Sequence, residues 1–150
     1  MTFEQVQGDL FAQRDVAAIG HGVNCRGVMG RGIAVEFRRR FSDMFDSYRE
    51  ECLAKRLRPG MLFPWPLPNG RWVYNLASQD EPGRNATDEA LESALIAVLE
   101  HSRAHEVASV ALPLIGAGIG GMTPRTTIAT MERVAGPSPV LVRLVIQPRR

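Results

Sequence analysis

The chain has 150 residues, of which 45% are hydrophobic and 23% are charged, and its net charge is +2. This composition is typical of one globular domain with a full core, and the weak charge argues against a dedicated nucleic-acid module. No apolar run approaches the ~20 residues of a membrane-spanning helix, and the N-terminus lacks the apolar core of a signal peptide, so we expect a cytoplasmic protein. Cys25 and Cys52 have no metal-ligand spacing.

Apolar runs and helical spacing predict strands that alternate with helices. In chain order we predict a strand at 2–7, a strand at 16–22, helices at about 32–40 and 42–55, an edge strand at 61–67, a strand at 71–77, a helix capped by Thr87, a strand at 107–112, a helix at about 123–134, a strand at 140–146 and a tail at 148–150. Ser42 and Thr123 are predicted N-caps, and Asn69-Gly70 predicts a hairpin turn.

This order of elements indicates the α/β class. We predict a three-layer α/β/α sandwich with a central mixed, mostly parallel sheet, formed by residues 1–150 as a single domain. Pro64 and Pro66 within 61–67, and Pro68 directly after it, restrict this segment to an edge strand or an extended segment.

Several polar residues have both a structural and a functional interpretation. Asp9, in the turn after the first strand, either hydrogen-bonds its own backbone or contacts a ligand. The arginines at 38–40 fit a solvated helix end better than a nucleic-acid patch. His101 and His105 lie one helical turn apart, but no third ligand is apparent, so we expect no metal. Asn75 interrupts an apolar strand, and a buried Asn must find hydrogen-bond partners.

Two glycine-rich loops, at 20–32 and 116–121, hold nine of the 14 glycines. Both follow predicted strands, so we expect them to converge at the carboxyl ends of the sheet, where open α/β proteins bind ligands. Glycine exposes backbone N–H groups to anions, and two facing loops of this kind suit a diphosphate. Asn24 is the compact side chain in the first loop that can both donate and accept a hydrogen bond. The alternative is a flexible surface loop.

Other nucleotide-binding and catalytic motifs do not fit. Gly116, Gly118 and Gly121 match the dinucleotide-binding glycine pattern, but no acidic residue follows Glu132, which excludes a nicotinamide dehydrogenase. Neither loop ends in the Gly-Lys-Ser/Thr of a phosphate-binding Walker loop, and the chain has no nucleophile elbow. We expect no cofactor.

Four motifs occur in the order and spacing of macrodomains. They are Gly8-Asp-Leu-Phe, Asn24-Cys-Arg-Gly-Val-Met-Gly-Arg-Gly-Ile-Ala-Val-Glu-Phe, Tyr74-Asn-Leu-Ala and Gly116-Ala-Gly-Ile-Gly-Gly. Over nearly its whole length the chain resembles the macrodomain family. It is most similar to the branch with the terminal ADP-ribose protein glycohydrolase and the bacterial DNA ADP-ribosyl glycohydrolase antitoxins. The resemblance implies an α/β/α fold and an ADP-ribose pocket.

The resemblance also implies a role for individual residues. Asp9 would bind the adenine amino group, with Leu10 beside it, and Asn24 would bind the distal ribose. The diphosphate would be held by the backbone of both loops, at Val28, Met29, Gly30, Arg31, Gly32, Ile33, Gly116, Ala117, Gly118, Ile119, Gly120 and Gly121.

The chain departs from this branch at two positions. The branch typically has a lysine where this chain has Gln79, and the protein glycohydrolase has an aspartate where this chain has Gly120. The lone lysine, Lys55, lies in an unrelated predicted helix, so a covalent lysyl intermediate is not expected.

Two functions follow from the resemblance. In the first, the protein hydrolyses mono-ADP-ribose from modified proteins, at the ester on Asp or Glu side chains. Water would attack, oriented by Asn24, Gln79 or a substrate phosphate, with Asp80 or Glu81 as the base. In the second, it is a non-catalytic ADP-ribose reader. The expected partner is ADP-ribose or an ADP-ribosylated protein, bound by a monomer; a nucleic-acid or membrane partner is not expected.

Overall fold

Six strands form one central sheet, and four helices pack on it. The computed structural model describes residues 2–148, and part of the predicted tail, Arg149 and Arg150, lies outside the described residues. The elements are β1 (Phe3–Gln7), β2 (Ala18–Val23), α1 (Ile33–Arg40), α2 (Ser42–Leu53), β3 (Leu62–Pro66), β4 (Trp72–Ala77), α3 (Asp88–Ala104), β5 (Ser109–Leu112), α4 (Pro124–Ala135) and β6 (Leu141–Ile146). Short 3₁₀ turns cover Leu10–Ala12 and Gly118–Gly120.

The sheet has the strand order β1-β6-β5-β2-β4-β3. All neighbouring strands pair in parallel except β3, which runs antiparallel to β4 at the edge. Strand β2 therefore lies inside the sheet between β4 and β5, and the carboxyl ends of these three strands meet at one end of it. The prediction of a mixed, mostly parallel sheet is confirmed.

Each face of the sheet has its own apolar core. Helices α3 and α4 cover one face with Leu91, Leu95 and Met131, and α1 and α2 cover the other with Phe37 and Met44. The strands alternate between the two cores, as the two-residue period of a strand requires. The three-layer α/β/α prediction is therefore confirmed. None of the helices within residues 2–148 is both long and apolar enough to cross a membrane.

Local signals were reliable where a side chain satisfies the backbone beside it. The Thr87 and Thr123 side chains accept hydrogen bonds from the first turns of α3 and α4, which confirms both N-caps. In the β3–β4 hairpin, Leu67 N–H donates to Arg71 O over 2.8 Å, and Gly70 adopts a φ of 85°. The Asn69-Gly70 turn is confirmed as well.

Three predicted boundaries were wrong. Ser42 is the first helical residue of α2 rather than its cap, because Phe41 takes the N-cap position and no side chain caps it. Strand β2 begins at Ala18 rather than at residue 16, since the carbonyl of Val16 accepts a hydrogen bond from the Arg71 side chain. Strand β5 begins at Ser109 rather than at residue 107, where Val107 N–H still donates to the carbonyl of Ser102.

His101, on α3, and His105, the C-cap residue of that helix, lie against the first residue of β4. Their rings stack on each other at 4.0 Å, and Trp72 packs edge-on against His101 at 4.5 Å. Within residues 2–148 no group of three His, Cys, Asp or Glu side chains could hold a metal ion.

One buried polar pair connects the neighbouring strands β2 and β4. His21 on β2 and Asn75 on β4 are both fully buried, and His21 Nε2 lies 2.7 Å from Asn75 Oδ1. Asn75 Nδ2 donates to the carbonyl of Phe63 over 3.1 Å, so its Oδ1 must accept and His21 Nε2 must donate. Phe37 of α1 stacks on the His21 ring at 3.7 Å. Burial lowers the pKa of His21 to about 4, against the opposing effect of the hydrogen bond to Asn75.

The protein should therefore lose stability between pH 6.5 and pH 4. Folding keeps His21 neutral, while the unfolded chain protonates near the ordinary His pKa of 6.5, so acid favours the unfolded state. We expect the His21 pair to contribute a loss of about 2 kcal/mol by pH 5 relative to pH 7, measured by urea unfolding. NMR titration of the folded protein should show the His21 ring still neutral at pH 5. A His21 ring that titrates near pH 6.5 in the folded state would contradict this.

Candidate functional site

The two glycine loops meet at the carboxyl ends of β2, β4 and β5 and enclose a cavity of about 260 Å³. Its wall is made by residues 22–24, 28–34, 78–79, 82–83, 113–117 and 119–120. This is the end of an open α/β sheet at which ligands bind. All six residues of the first loop from Val28 to Ile33 line the cavity. In the second loop Gly116, Ala117, Ile119 and Gly120 line it, whereas Gly118 and Gly121 do not.

A second cavity, of about 570 Å³, adjoins the first. The two share Gly32, Ile33, Pro113 and Leu114 as wall residues, so they follow one another past the N-terminus of α1. The far wall of the second cavity contains the 8–11 turn and residues 145–147. The structure thus places Asp9 and Leu10 in the second cavity, and Asn24 in the first.

The junction of the two cavities is the uncapped end of a helix. Gly32 is the N-cap of α1, with φ 62° and ψ −147°, and no side chain bonds to the first turn. The N–H groups of Ile33 and Ala34 have no acceptor within the helix, and both residues line the first cavity. Helices α3 and α4, in contrast, are capped by threonine. Free N–H groups and the positive end of the helix dipole make this junction a site for an anion.

Asp9 combines both interpretations offered by its sequence context. Its Oδ1 accepts a hydrogen bond from Phe11 N over 2.9 Å and so holds the turn. Its Oδ2 makes no hydrogen bond within the described part of the chain. Asp9 is one of the residues that line the second cavity. One carboxylate oxygen therefore stabilises the loop, and the other can accept a hydrogen bond from a ligand.

Asn24 is fixed by its own loop. Its Nδ2 donates to Val28 O over 2.8 Å, and its Oδ1 accepts from Arg26 N over 2.9 Å. The hydroxyl of Tyr48, from α2, lies 3.0 Å from the same Oδ1. A residue that the sequence indicated as a ligand contact thus also holds the first glycine loop in shape.

Gln79 and Gly120 are neighbours on the wall of the first cavity. A Cβ added to Gly120 would lie 3.2 Å from Gln79 Oε1 and 3.0 Å from Ala86 Cβ. Gln79 Nε2 donates to the carbonyls of Glu81 and Gly83, over 2.6 and 2.8 Å. Both amide protons of Gln79 are therefore used, and Oε1 is the atom it can offer to a ligand or a water.

Asp80 and Glu81 lie outside the cavity wall. Arg26 Nη2 is 3.0 Å from Asp80 Oδ2 and 3.1 Å from Glu81 Oε1, and all three side chains are more than half exposed. Cys25 N–H donates to the Asp80 carbonyl over 2.8 Å, so this segment is attached to the first glycine loop. Of the three predicted catalytic residues, the structure brings Asn24 and Gln79 together on the wall and leaves Asp80 beside it.

Cys25 is an unreactive neighbour of the site. Burial raises the pKa of its thiol to about 12, so it stays protonated at neutral pH. Sequence reasoning missed the apolar wall at 113–115 and the contact from Tyr48. The wall directly follows β5, so the rule that ligands bind at strand ends could have indicated it. The contact from Tyr48 has no sequence signal, because Phe45, Tyr48 and Cys52 share one apolar helix face.

Comparison with known proteins gives a consistent result. The family model described as Macro domain matches residues 21–131. The DNA ADP-ribosyl glycohydrolase of Mycobacterium bovis is 32% identical over 118 residues, which are 77% of this chain and 33% of that protein. The ADP-ribose glycohydrolase OARD1 of Homo sapiens is 29% identical over 131 residues, which are 86% of this chain and 81% of that protein.

Among solved structures, the macrodomain of Thermus aquaticus DarG matches with a TM-score of 0.86 and 26% identity, over 97% of this chain and 98% of that chain. The chain spans about a third of the length of the DNA ADP-ribosyl glycohydrolases it matches. The family model covers well over half of the chain, from the first glycine loop into α4. With the sheet order, the two glycine loops and the cavities between them, this match shows that the chain belongs to the macrodomain family.

Proposed function

We propose that this macrodomain binds ADP-ribose and hydrolyses mono-ADP-ribose from modified proteins. The observation that carries the proposal is the order of groups along the two adjoining cavities. Asp9 lines one end, the free N–H groups of Ile33 and Ala34 lie at the junction, and Asn24 and Gln79 line the other end. A base that donates hydrogen bonds, a diphosphate and a second ribose follow one another in the same order in ADP-ribose.

Relatives support the hydrolytic part of the proposal. A protein 32% identical is named a DNA ADP-ribosyl glycohydrolase, and one 29% identical is named an ADP-ribose glycohydrolase. Modified DNA is less favoured than modified protein as the substrate here, because the net charge of +2 is weak for a domain that binds nucleic acid.

The character of the first cavity favours an ester as the linkage that is cleaved. Asn24 and Gln79 can donate or accept hydrogen bonds but cannot supply a proton. Asp80 and Glu81 are paired with Arg26 outside the wall. A carboxylate leaves as a stable anion and needs no general acid, whereas a serine alkoxide does. The ester between ADP-ribose and Asp or Glu therefore fits this cavity.

In the proposed reaction, water attacks C1″ of the distal ribose. The bond from C1″ to the ester oxygen breaks and its electron pair leaves with the carboxylate, while the water gives up a proton and becomes the hydroxyl of free ADP-ribose. Gln79 Oε1, whose amide protons are used elsewhere, can accept a hydrogen bond from this water. Asp80, adjacent in sequence, is the candidate base, but its carboxylate is paired with Arg26 outside the wall, so the proton would reach it through a solvent water. Positioning by fixed polar groups supplies the catalysis.

The alternative function is a reader that binds ADP-ribose without cleaving it. The observation in its favour is the pair of residues 79 and 120. These positions are in contact on the wall of the cavity, and they carry Gln and Gly where the resemblance leads one to expect lysine and aspartate. Binding and hydrolysis must therefore be tested separately.

The first test concerns the diphosphate. Gly32→Glu should abolish the increase in melting temperature that ADP-ribose causes, because it places a side chain and a negative charge at the junction of the cavities. The matched control is Gly70→Glu in the β3–β4 hairpin. Both glycines have positive φ, 62° and 85°, so both variants carry backbone strain. If ADP-ribose still stabilises Gly32→Glu as it stabilises Gly70→Glu, the phosphate is bound elsewhere.

The second test concerns the base. Asp9→Asn keeps an oxygen that can accept from Phe11 N but replaces the other acceptor with an N–H donor. We expect ADP-ribose to bind about 1–3 kcal/mol more weakly, as for loss of a charge-assisted hydrogen bond, measured by calorimetry. Ribose 5-phosphate, which lacks adenine, should bind equally to both proteins. Equal losses for the two ligands would mean that Asp9 only holds the turn.

The third test concerns turnover. We expect slow release of ADP-ribose from Asp- or Glu-linked protein and none from serine- or arginine-linked protein. Asn24→Ala should impair turnover by loosening the ribose, and Gln79→Ala should slow it by at most about 10²–10⁴-fold, the range for a positioned polar or acid–base group.

Mass spectrometry of the protein during turnover should detect no covalent ribosyl adduct. A trapped adduct would contradict direct attack by water. Tight binding of ADP-ribose with no release from the ester would establish the reader instead.

A further inference from the structure

Tyr48 connects the helical layer to the first glycine loop. It lies in the middle of α2 and is fully buried, yet its hydroxyl reaches two oxygens of one loop residue. The hydroxyl is 2.7 Å from Asn24 O and 3.0 Å from Asn24 Oδ1. Burial raises the pKa of the Tyr48 phenol above its ordinary value, so the hydroxyl keeps its proton and donates.

The loop approaches α2 closely enough for this contact because residue 27 is glycine. A Cβ at Gly27 would lie 3.1 Å from Arg49 Cγ and 3.6 Å from Cys52 Cβ, both on α2. A larger residue at this position would push the loop away from the helix. The close packing of the loop on α2 at Gly27 therefore sets the distance between Tyr48 and Asn24.

The contacts of Asn24 determine which way its amide faces. Oδ1 accepts from Arg26 N at 2.9 Å and from Val28 N at 3.5 Å, and it shares the single proton of the Tyr48 hydroxyl with Asn24 O. Nδ2 has two protons, and one of them is donated to Val28 O. The second proton of Nδ2 is the hydrogen-bonding group that remains for a ligand in the cavity.

We propose that Tyr48 is a positioning residue that holds the Asn24 amide in the orientation in which it offers only an N–H donor to the distal ribose. This inference rests on the proposed function, in which Asn24 contacts that ribose. The ribose hydroxyl oxygens accept hydrogen bonds, so a fixed donor suits them. Without the Tyr48 hydroxyl, Asn24 O and Asn24 Oδ1 lose the proton that they share, and the amide can rotate away from this orientation.

The test compares two buried tyrosines. Tyr48→Phe keeps the ring and removes the hydroxyl. The matched control, Tyr74→Phe, removes a hydroxyl that is equally buried but bonds to His101 Nδ1 at 2.8 Å and Ser102 Oγ at 3.1 Å, away from the cavity. Calorimetry measures the dissociation constants of ADP-ribose and of ADP, which has the base and the diphosphate but no distal ribose.

We expect Tyr48→Phe to weaken ADP-ribose about 5- to 30-fold and to leave ADP within about twofold, as for one lost hydrogen bond. Tyr74→Phe should change neither. In an Asn24→Ala background, Tyr48→Phe should cause no further loss, since its effect acts through Asn24.

Several outcomes would overturn the proposal. They are unchanged ADP-ribose binding in Tyr48→Phe, an equal loss for ADP and ADP-ribose, or a full additional loss in the Asn24→Ala background. The second of these would show that Tyr48 only maintains the loop. A wild-type protein that binds no ADP-ribose would overturn the proposed function itself, and the Tyr48 proposal with it, so the two failures are distinguishable.

A second variant covers the case in which Tyr48→Phe does not fold. Asn24→Asp keeps an oxygen toward Tyr48 and Arg26 N but has no N–H to donate. We expect it to lose ADP-ribose affinity at least 5-fold relative to wild type, with a smaller loss for ADP. Unchanged affinity for ADP-ribose would overturn the donor role.

Discussion

The hydrogen bond between His21 and Asn75 connects the two strands whose ends hold the candidate site. It lies across the parallel β2–β4 pair, and the Phe37 ring of α1 stacks directly on the imidazole. The position of α1 relative to the sheet, and therefore the position of its open N-terminus, depends on this buried polar contact. Burial lowers the pKa of His21 to about 4, so the ring against which Phe37 packs is neutral at physiological pH.

From this anchor the site is built mostly from backbone. The first turn of α1 and both glycine loops line the first cavity, and Arg31 is the one charged residue on its wall within residues 2–148. Asp9, Glu36 and Arg40 line the second cavity, and the Arg26 pairs with Asp80 and Glu81 lie outside the first. The N–H groups at a helix N-terminus attract an anion through dipoles that need no reorganisation when a ligand enters.

The sequence allowed prediction wherever the deciding interaction is local. Thr123 and Pro124 start a helix through contacts within four residues, and Asn69-Gly70 closes a hairpin in the same way. The convergence of the glycine loops also followed from the sequence, because parallel strands end on one side of a sheet. The predicted start of β2 was wrong because the side chain of Arg71, 55 residues away in the chain, donates a hydrogen bond to the Val16 carbonyl.

The details of the site depend on contacts that no local pattern records. Tyr48 has the spacing of a core residue and is one, yet its hydroxyl ends on Asn24. Asp80 follows Gln79 directly in the chain but points to Arg26 and away from the cavity. The contact of residue 79 with residue 120 brings together two segments more than 40 positions apart in the chain. Such distances are set by how the layers pack and cannot be read from spacing.

That last contact has a consequence for how this macrodomain can be related to chains with a lysine and an aspartate at these two places. The two side chains would touch, so a cation and an anion there neutralise each other, and Gln with Gly leaves the cavity neutral as well. With glycine at position 120, the Gln79 amide oxygen has free space beside it, whereas the Cβ of any larger residue would lie 3.2 Å from that oxygen. The residue at one of these positions therefore limits which side chain can fit at the other.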